Sequence, residues 1–201
     1  MPKDGILPIS ALDLLKLYQS GLFPMADSAS DSGFFLMKPP ERAVFYPEKF
    51  HIPQSLQKFV KKCDWNITFN QDFIGVIDLC RMIRPERPDT WINKDILTLF
   101  IELHYLGHAH SIEVWNGTEL IGGLYGLSVG GVFCAESMVS LQSNASSIAL
   151  IYLMKHLTAR GYILCDVQYT NPHLERFHVQ TISEDEYLKI LQPSLISPLR
   201  F

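Results

Sequence analysis

The pattern of apolar and polar positions is most regular over residues 107–161. Two β-rich runs, SIEVW and ELIGGLYGLSV, flank the dipeptide Asn116-Gly117, which suits the positive φ angles of a type I′ turn. The glycine pair Gly130-Gly131 then returns the chain into a third run, VFCAESM. The sequence therefore predicts three consecutive antiparallel strands.

A helix and a returning strand are predicted directly after these strands. The run ASSIALIYLMKHLTAR has the apolar spacing of a helix, with Asn144 as its N-cap and Gly161 just past its C-terminus. YILCDVQ is short and almost wholly apolar, as expected of a buried strand. Because such an arrangement brings strand ends together, we expect Glu136, Asp166 and Gln168 to meet at one site.

The rest of the chain predicts helices separated by loops. Helices are expected over SALDLLKLYQ, from Pro53 through Cys63, after an N-cap at Asn70, from Asn93 to Gly107, and over EDEYLKIL with a capping box of Ser183 and Glu186. Residues 22–50 hold four of the twelve prolines and a run of serine, aspartate and glycine, which predicts loop and extended chain. We expect an α+β protein with a small N-terminal domain, residues 1–50, packed on a mixed α/β body, residues 51–201.

Composition limits the class of protein. With 201 residues, of which 47% are hydrophobic and 19% charged, the chain can bury a core and is typical of a globular protein. No apolar run reaches the roughly 20 residues of a membrane span, and MPKDGILPIS lacks the apolar core of a signal peptide. A cytoplasmic protein without membrane contact is therefore expected. The four cysteines have no CxxC pair and are expected to be reduced and mostly buried.

The formal charge of −4 gives no general reason to expect nucleic-acid binding, so any RNA contact would have to be local. One candidate is a group of cations on one predicted helix and near the loop after the next helix. A solvated helix face is one interpretation, and a local phosphate-binding patch is the other. The residues are Lys58, Lys61, Lys62, Arg81, Arg84 and Arg87.

Three histidines, His104, His108 and His110, raise the question of a metal site. Only His104 and His108 have the helical i, i+4 spacing, and Gly107 should end the helix between them. No glutamate lies where a zinc hydrolase would have its general base. We therefore expect partly buried histidines in a loop, and no metal.

Two acids stand at predicted strand ends. Asp166 closes an apolar strand, where a carboxylate often caps the next loop. Alternatively, Asp166 is desolvated, shares a strand face with Gln168 and influences a proton. Glu136 is the second acid, after the apolar run Phe-Cys-Ala. Two acids beside an apolar pocket would suit a cationic substrate.

The predicted order of hairpin, helix and strand is also that of the GNAT acyltransferase fold. Acetyl-CoA enzymes of that fold carry a Q/R-x-x-G-x-G/A loop at the helix start, where backbone N–H groups bind pyrophosphate. The corresponding residues 142–147 read QSNASS and lack the glycines that let the backbone approach phosphate. Acetyl-CoA is therefore disfavoured as the donor.

The chain contains the segments YQSGLFPM, PPERAVFYPEKFHIPQSL, TWI, LHYLGHAHSIEVW, GGLYG, FCAESM, NAS and DVQYTN. Together these segments resemble the leucyl/phenylalanyl-tRNA–protein transferase family, and the likeness runs from about Gly5 to Leu191. Some members have a tryptophan after FP and a WWSPDPR segment, whereas this chain has Met25 and LMKPPER, which includes Leu36 and Met37. Contacts to the terminal adenosine or to nearby RNA are expected to differ there.

The resemblance implies a GNAT-like acyltransferase body, with a mixed, mostly antiparallel sheet and flanking helices, that carries the small N-terminal domain. It implies an enzyme that moves Leu or Phe from Leu-tRNA or Phe-tRNA to the α-amino group of proteins that begin with Arg or Lys. This transfer tags those proteins for degradation through the bacterial N-end pathway. No cofactor is implied, since an aminoacyl ester is already activated.

The resemblance also implies roles for individual residues. Asp166 and Gln168 would form the relay that helps the attacking amine lose its proton, and Glu136 would lie by the cationic end of the acceptor. The aminoacyl-adenosine site would be lined by Tyr18, Trp91, Tyr125 and Asn171. Phe133 and Met138 would help form the pocket for the Leu or Phe side chain. The lysine and arginine patch would steer the acceptor stem.

Two other functions stay open at this point. A GNAT-fold N-acetyltransferase would need a pantetheine groove and a glycine-bearing pyrophosphate loop. A non-catalytic module that binds N-terminal Arg or Lys would need the acids, but neither a Leu/Phe pocket nor an adenosine site. Incubation with labelled Leu-tRNA and a peptide that begins with Arg would separate all three functions.

Overall fold

The computed structural model describes residues 9–85, 88–196 and 199–201. Its helices are α1 (Ala11–Gln19), α2 (Gln54–Val60), α3 (Phe73–Arg81), α4 (Lys94–Tyr105), α5 (Ala145–Arg160), α6 (Pro172–Glu175) and α7 (Glu184–Ser194), and a 3₁₀ turn spans Pro47–Lys49. Its strands are β1 (Phe23–Met25), β2 (Phe35–Met37), β3 (Glu41–Phe45), β4 (Asn66–Phe69), β5 (Ala109–Asn116), β6 (Glu119–Val129), β7 (Val132–Ser140), β8 (Leu164–Gln168) and β9 (Gln180–Ser183). Within the described ranges, no helix is long and apolar enough to cross a membrane.

Seven strands form one sheet in the order β4-β5-β6-β7-β8-β3-β9, and β1 pairs with β2 separately. All neighbours in the large sheet are antiparallel except β7 and β8, which are parallel. The predicted run of three antiparallel strands is confirmed as β5, β6 and β7. The protein is therefore α+β, with a mixed and mostly antiparallel sheet flanked by helices.

The sequence does not predict three strands of the large sheet. Strand β3 comes from the stretch predicted as loop and extended chain, and it lies between β8 and β9 although it belongs to residues 1–50. Strands β4 and β9 have four residues each and lie at the two edges of the sheet. Such short segments carry little periodic signal, so pairing with distant partners makes them strands. The domain boundary at residue 50 stays a prediction.

The β5–β6 hairpin has a different turn from the predicted one. Asn116 ends β5 and pairs with Glu119, so the two-residue loop is Gly117-Thr118. Gly117 has a φ of +61° and occupies the first central position, which is the position where a type II′ turn needs glycine. The prediction of a type I′ turn over Asn116-Gly117 is therefore wrong, although the hairpin itself forms.

The predicted N-cap of α3 is also wrong. Asn70 has a left-handed φ of +58°, and its side-chain oxygen accepts from the Ser111 N–H at 3.1 Å. Asp72 caps α3 instead, because its carboxylate accepts from the Gly75 N–H at 2.9 Å. Asn70 thus joins two strands rather than starting a helix.

Helix α5 begins without a side-chain cap from Asn144, in contrast to the prediction. The Oγ of Ser140, at the end of β7, accepts from the Ser146 N–H at 2.8 Å and so satisfies one free donor of the first turn. At the other end, Gly161 adopts the predicted left-handed conformation with a φ of +80°. The helix start is therefore closed by a neighbouring strand.

Two hydrophobic clusters cover the two faces of the large sheet. One contains α5 and Leu56 of α2, together with Leu124 of β6. The other contains the apolar faces of α1, α3 and α4, together with Tyr125. Since successive strand residues point to opposite faces, α2 and α5 lie on one face and α1, α3 and α4 on the other. All four cysteines are free and three are buried in these clusters, as predicted.

Candidate active site

The candidate site lies where β7 and β8 part. Their parallel pairing joins residues 132–134 to residues 164–166 and ends there. Beyond that point a cleft of about 290 Å³ opens between these strands and β1. Its lining consists of Phe23, Pro24, Met25, Trp91, Ala135, Glu136, Ser137, Met138, Val167, Gln168, Tyr169, Asn171 and Leu174.

A β-bulge places Glu136 in the lining of the cleft. Ala135 pairs with Gly126 and Ser137 pairs with Tyr125, which leaves Glu136 as the extra residue of β7. A bulge changes the direction of one side chain and is frequent beside active sites. The sequence predicts a strand here but does not show where its alternation is interrupted.

Gln168 ends β8 with a left-handed backbone, at a φ of +56°. This conformation is uncommon outside glycine, and such residues cluster at functional sites. The backbone N–H of Gln168 donates to Oδ1 of Asp166 at 2.8 Å, and its Nε2 donates to Oε1 of Glu136 at 3.3 Å. Gln168 therefore connects a buried acid to the acid that lines the cleft.

Asp166 is fully buried and forms an ion pair behind the cleft. Its Oδ2 accepts from Nη1 of Arg42 at 2.7 Å. The buried guanidinium of Arg42 lies 4.9 Å from the ring centroid of Phe23 and 4.7 Å from that of Tyr187. Its Nη2 donates to the carbonyl of Gly21. Both oxygens of Asp166 are thus engaged by hydrogen-bond donors of the protein.

Sequence reasoning misses Arg42. The residue stands in the run ERAVF, where one cation among apolar residues of an extended stretch is the only local signal. Its partner Asp166 is 124 residues away and meets it because β3 and β8 are neighbours in the sheet. A buried arginine is rare unless it is paired with an acid. An arginine in an apolar strand therefore indicates a buried acidic partner, but not which acid it is.

Burial changes the acidity of the groups in this network. It raises the pKa of Glu136 to about 8, against the lowering effect of the nearby Tyr18 hydroxyl. Burial also raises the pKa of Asp166, and the Arg42 guanidinium is the strongest opposing influence. The pKa of the Tyr18 phenol is raised well above its ordinary value, again chiefly by burial. With a pKa of about 8, Glu136 exchanges a proton near neutral pH.

Five of the predicted site residues line the cleft together, namely Trp91, Glu136, Met138, Gln168 and Asn171. Tyr18 lies beside Glu136 in the buried wall. Tyr125 and Phe133 are fully buried in the two opposite core clusters, outside the described lining. The Phe133 ring stacks on that of Phe201, with centroids 5.2 Å apart. The described lining thus includes Met138 but neither of these two aromatic residues.

Strand β1 contributes a wall of the cleft that the sequence does not predict. Phe23, Pro24 and Met25 all belong to the lining. Strand β2 pairs with this strand edge to edge, since Leu36 pairs with Pro24 and Met37 with Phe23. Of the departures from the family pattern, Met25 therefore lies in the cleft wall, and Leu36 and Met37 lie on the strand paired with it.

The sheet divides the predicted phosphate patch. Three exposed lysines, Lys58, Lys61 and Lys62, lie on α2 or directly after it. Arg81 ends α3 on the opposite face of the sheet, where it pairs with Asp78 at 3.4 Å. Arg84 is half-buried after α3, and Arg87 lies outside the described residues. The three lysines, rather than the whole set, therefore form a contiguous group.

The histidines make contacts typical of a packed fold. Nδ1 of His104 lies 2.9 Å from the carbonyl oxygen of Ala109, and its ring stacks on Phe73 at 4.3 Å. The His110 ring stacks on Phe201 at 4.3 Å, and burial lowers the pKa of His110 to about 4. Among the residues that the structure describes, no group of three or more His, Cys, Asp or Glu side chains could hold a metal ion.

Comparison with known proteins gives independent information. The family model described as leucyl/phenylalanyl-tRNA protein transferase matches residues 44–192. A leucyl/phenylalanyl-tRNA–protein transferase of Maricaulis maris (strain MCS10) is 44% identical over 186 residues, which cover 92% of this chain and 86% of that protein. The protein of the same description from Hyphomonas neptunium (strain ATCC 15444) is 44% identical over 183 residues, which cover 91% and 71%.

The similar solved structures are more distant. A functionally unknown conserved protein from Staphylococcus epidermidis ATCC 12228 aligns with a TM-score of 0.43 and 10% identity, over 87% of this chain and 65% of that chain. L-PGS from Bacillus licheniformis aligns with a TM-score of 0.42 and 13% identity, over 80% and 51%. Likeness at this level does not identify a fold, so the GNAT-like assignment stays a prediction.

Proposed function

The chain belongs to the leucyl/phenylalanyl-tRNA protein transferase family and is an aminoacyltransferase, and we propose that it transfers Leu or Phe to proteins that begin with Arg or Lys. The α-amino group of the acceptor replaces the tRNA ester, and the product is marked for N-end degradation in the cytoplasm. The observation that carries the proposal is the cleft beside β7 and β8, in which Glu136 and Gln168 face an otherwise largely apolar lining. Such a cleft suits an apolar donor side chain and a cationic acceptor.

The donor site is proposed in the lining of the cleft. Met138, Val167 and Leu174 supply apolar surface for a Leu or Phe side chain. The Trp91 indole offers a face on which a base can stack, and Asn171 supplies a polar contact. A cavity of about 290 Å³ is just below the usual range of small-molecule sites, and we place the aminoacyl end of the tRNA in it.

The transfer step needs positioning more than side-chain nucleophiles. The aminoacyl ester is already activated and the incoming amine is the nucleophile, so holding the two in reacting geometry supplies much of the rate. We place Gln168 in contact with the reacting groups, since it lines the cleft. Asp166 contributes as a positioning residue, because it accepts from the backbone N–H of Gln168 at 2.8 Å.

The acceptor and the tRNA are proposed to use different surfaces. Glu136 offers its carboxyl group to the cationic acceptor within the cleft. The exposed lysines at the end of α2, Lys58, Lys61 and Lys62, offer positive charge to the acceptor stem. An acidic protein that reads chiefly the 3′ end of the tRNA needs only such a local cationic group.

A GNAT-fold N-acetyltransferase is the second candidate. The order of β5, β6, β7, α5 and β8 supports a GNAT-like body, which is the reason to weigh it. An acyl-CoA donor needs free N–H groups at the start of α5. Here the Ser146 N–H donates to Oγ of Ser140 at 2.8 Å, and the Ala145 N–H donates to the carbonyl of Gln142 at 3.1 Å. These bonds occupy two of the N–H groups of the first turn and favour the aminoacyl-tRNA donor.

The test uses three labelled donors, Leu-tRNA, Phe-tRNA and acetyl-CoA, with peptides that begin with Arg, Lys or Ala. The proposal expects label from the two tRNAs on the Arg and Lys peptides, and none from acetyl-CoA. Label from acetyl-CoA alone would identify an acetyltransferase. Binding of the Arg peptide without transfer from any donor would identify a non-catalytic recognition module.

A further inference from the structure

We infer that Glu136, and not Asp166, takes the proton of the acceptor's α-amino group, while Asp166, buried and paired with Arg42, only positions Gln168. The inference rests on the proposed aminoacyl transfer and deepens it. It assigns separate tasks to two carboxyl groups that the sequence presents as equivalent strand-end acids.

Access is the first reason. A general base must come within hydrogen-bond reach of the proton that it removes, about 2.6–3.2 Å between heavy atoms. Asp166 is 0% exposed, and its two oxygens already accept from Arg42 at 2.7 Å and from the Gln168 N–H at 2.8 Å. Glu136 lines the cleft, and Gln168 holds one of its oxygens at 3.3 Å. Within the described lining, Glu136 is the only carboxyl group that can meet an amine.

Charge balance is the second reason. Three titratable or charged groups influence Glu136 from the elements packed against it, namely Tyr18 of α1, Asp166 of β8 and Arg42 of β3. The Cys134 thiol and the Tyr187 phenol complete the buried network, with the Tyr187 oxygen 3.9 Å from Sγ of Cys134. The pKa of each of these two groups is raised well above its ordinary value, chiefly by burial, so both stay neutral. Asp166 and Arg42 face each other as a buried ion pair, so Glu136 is the acid of this network that faces the cleft.

Matched acidity is the third reason. An ordinary glutamate has a pKa of about 4.3, which is too low to deprotonate an α-ammonium group of pKa about 7.7–8.0. Burial raises the pKa of Glu136 to about 8, which brings the carboxyl group into the range of the α-ammonium group. Efficient proton transfer near neutral pH needs such a match.

The proton balance of the reaction follows. The Glu136 carboxylate takes one proton from the α-ammonium group, and the freed amine forms a C–N bond with the ester carbonyl carbon. When the C–O bond to the ribose breaks, protonated Glu136 gives its proton to the ribose oxygen and takes the remaining surplus proton from nitrogen. Release of that proton to solvent restores the carboxylate. One amide, one ribose hydroxyl and one free proton are formed per turnover.

The test compares Glu136→Gln, which keeps the shape and an oxygen for Gln168, with the matched variant Asp166→Asn. Transfer from Leu-tRNA to an Arg peptide is measured from pH 6 to pH 9 after circular dichroism has shown that both variants are folded. For Glu136→Gln we expect kcat to fall by at least about 100-fold at pH 7.5 with KM changed less than about threefold. For Asp166→Asn we expect a slower reaction whose pH midpoint moves to lower pH, because Asp166 raises the pKa of Glu136.

A second acceptor separates proton transfer from cation recognition. The same peptide beginning with citrulline, the neutral isostere of arginine, should lose kcat by the same factor in Glu136→Gln. A rise in KM confined to the Arg peptide, with kcat retained, would make Glu136 a cation-binding group and overturn the inference. So would a pH midpoint that survives in Glu136→Gln and disappears in Asp166→Asn. Absence of transfer by the wild-type protein would overturn the proposed function as well, whereas the other outcomes overturn only this inference.

Discussion

Arg42 and Asp166 form an ion pair with 2.7 Å between Nη1 and Oδ2, and the side chains are only 3% and 1% exposed. The pair joins neighbouring strands, β3 and β8, immediately behind the cleft. Removing two charges from water costs about as much as their attraction returns, so such a pair is weak support for stability on its own. The ion pair instead fixes the position of Asp166, which in turn holds the backbone of Gln168 in its left-handed conformation.

Replacing one partner of this pair should destabilise the protein, whereas replacing both partners should not. Arg42→Met leaves an unpaired buried carboxylate, and we expect the free energy of unfolding to fall by about 3–5 kcal/mol. Urea unfolding monitored by circular dichroism measures this change. The double variant Arg42→Met, Asp166→Asn is the control and should regain most of the loss. A single variant as stable as the wild type would contradict a paired, desolvated arrangement.

Truncating the side chain of Asp166 or of Gln168 should slow aminoacyl transfer. Asp166→Ala removes the acceptor for the Gln168 N–H, and Gln168→Ala removes the side chain from the cleft. We expect each variant to transfer Leu at least about tenfold more slowly than the wild type while remaining folded, at the low end of the range for acid–base assistance or below it. Single-turnover rates with charged tRNA give the comparison. Near-normal turnover in both would remove the two residues from the transfer step.

Donor choice should depend on Met138. A change of about one methylene in an apolar pocket is worth roughly 1–3 kcal/mol of discrimination. Met138→Ala should therefore change the ratio of Leu to Phe transfer, measured by competition between the two charged tRNAs, without abolishing activity. Phe133→Leu is the matched control, because Phe133 is buried in the core outside the described lining, and it should cost stability but leave the ratio unchanged. Equal slowing of both donors in Met138→Ala would assign that methionine to the fold.

Lys61 and Lys62, which follow α2, should contribute to binding of whole tRNA but not of a minimal substrate. Lys61→Glu with Lys62→Glu should weaken binding of aminoacyl-tRNA and flatten its salt dependence by roughly 0.7–0.9 log units per lost phosphate contact. A minimal aminoacyl-adenosine substrate carries no stem and should react at the wild-type rate. Arg81 lies on the opposite face of the sheet, so Arg81→Glu tests whether the bound RNA also contacts that face. Equal damage to both substrates, or to neither, would show that the lysines are only a solvated surface.

Stability should fall with pH because of Glu136. Its pKa is raised from 4.5 to about 8 in the folded protein, so between these values the folded state holds a proton that the unfolded state releases. The free energy of unfolding should therefore decrease as pH rises from about 5 to 8, by at most about 1.4 kcal/mol per unit. Glu136→Gln should lose this slope and become more stable than the wild type at pH 8. Parallel stability–pH curves of the two proteins, obtained by urea unfolding, would contradict a buried glutamate with raised pKa.

Local patterns were sufficient to predict several features of this protein. Period-3.6 runs predict helices such as α4 and α5, and period-2 runs with glycine turns predict β5, β6 and β7, because these signals depend on near neighbours. The family motifs also contain Glu136 and Gln168, whose side chains meet just beyond the point where β7 and β8 stop pairing. The motif positions Trp91, Met138 and Asn171 likewise reach the same cleft.

Other features depend on residues that are far apart in the chain. The edge strands β4 and β9 form only because they pair with distant strands. The bulge at Glu136 depends on the register between β6 and β7. The Arg42–Asp166 pair joins residues that are 124 positions apart. The separation of the lysines from Arg81 likewise follows from which face of the sheet each helix covers. Near-neighbour propensity carries no information about these contacts, because their free energy arises from burial, desolvation and hydrogen bonds that exist only when distant segments pack together.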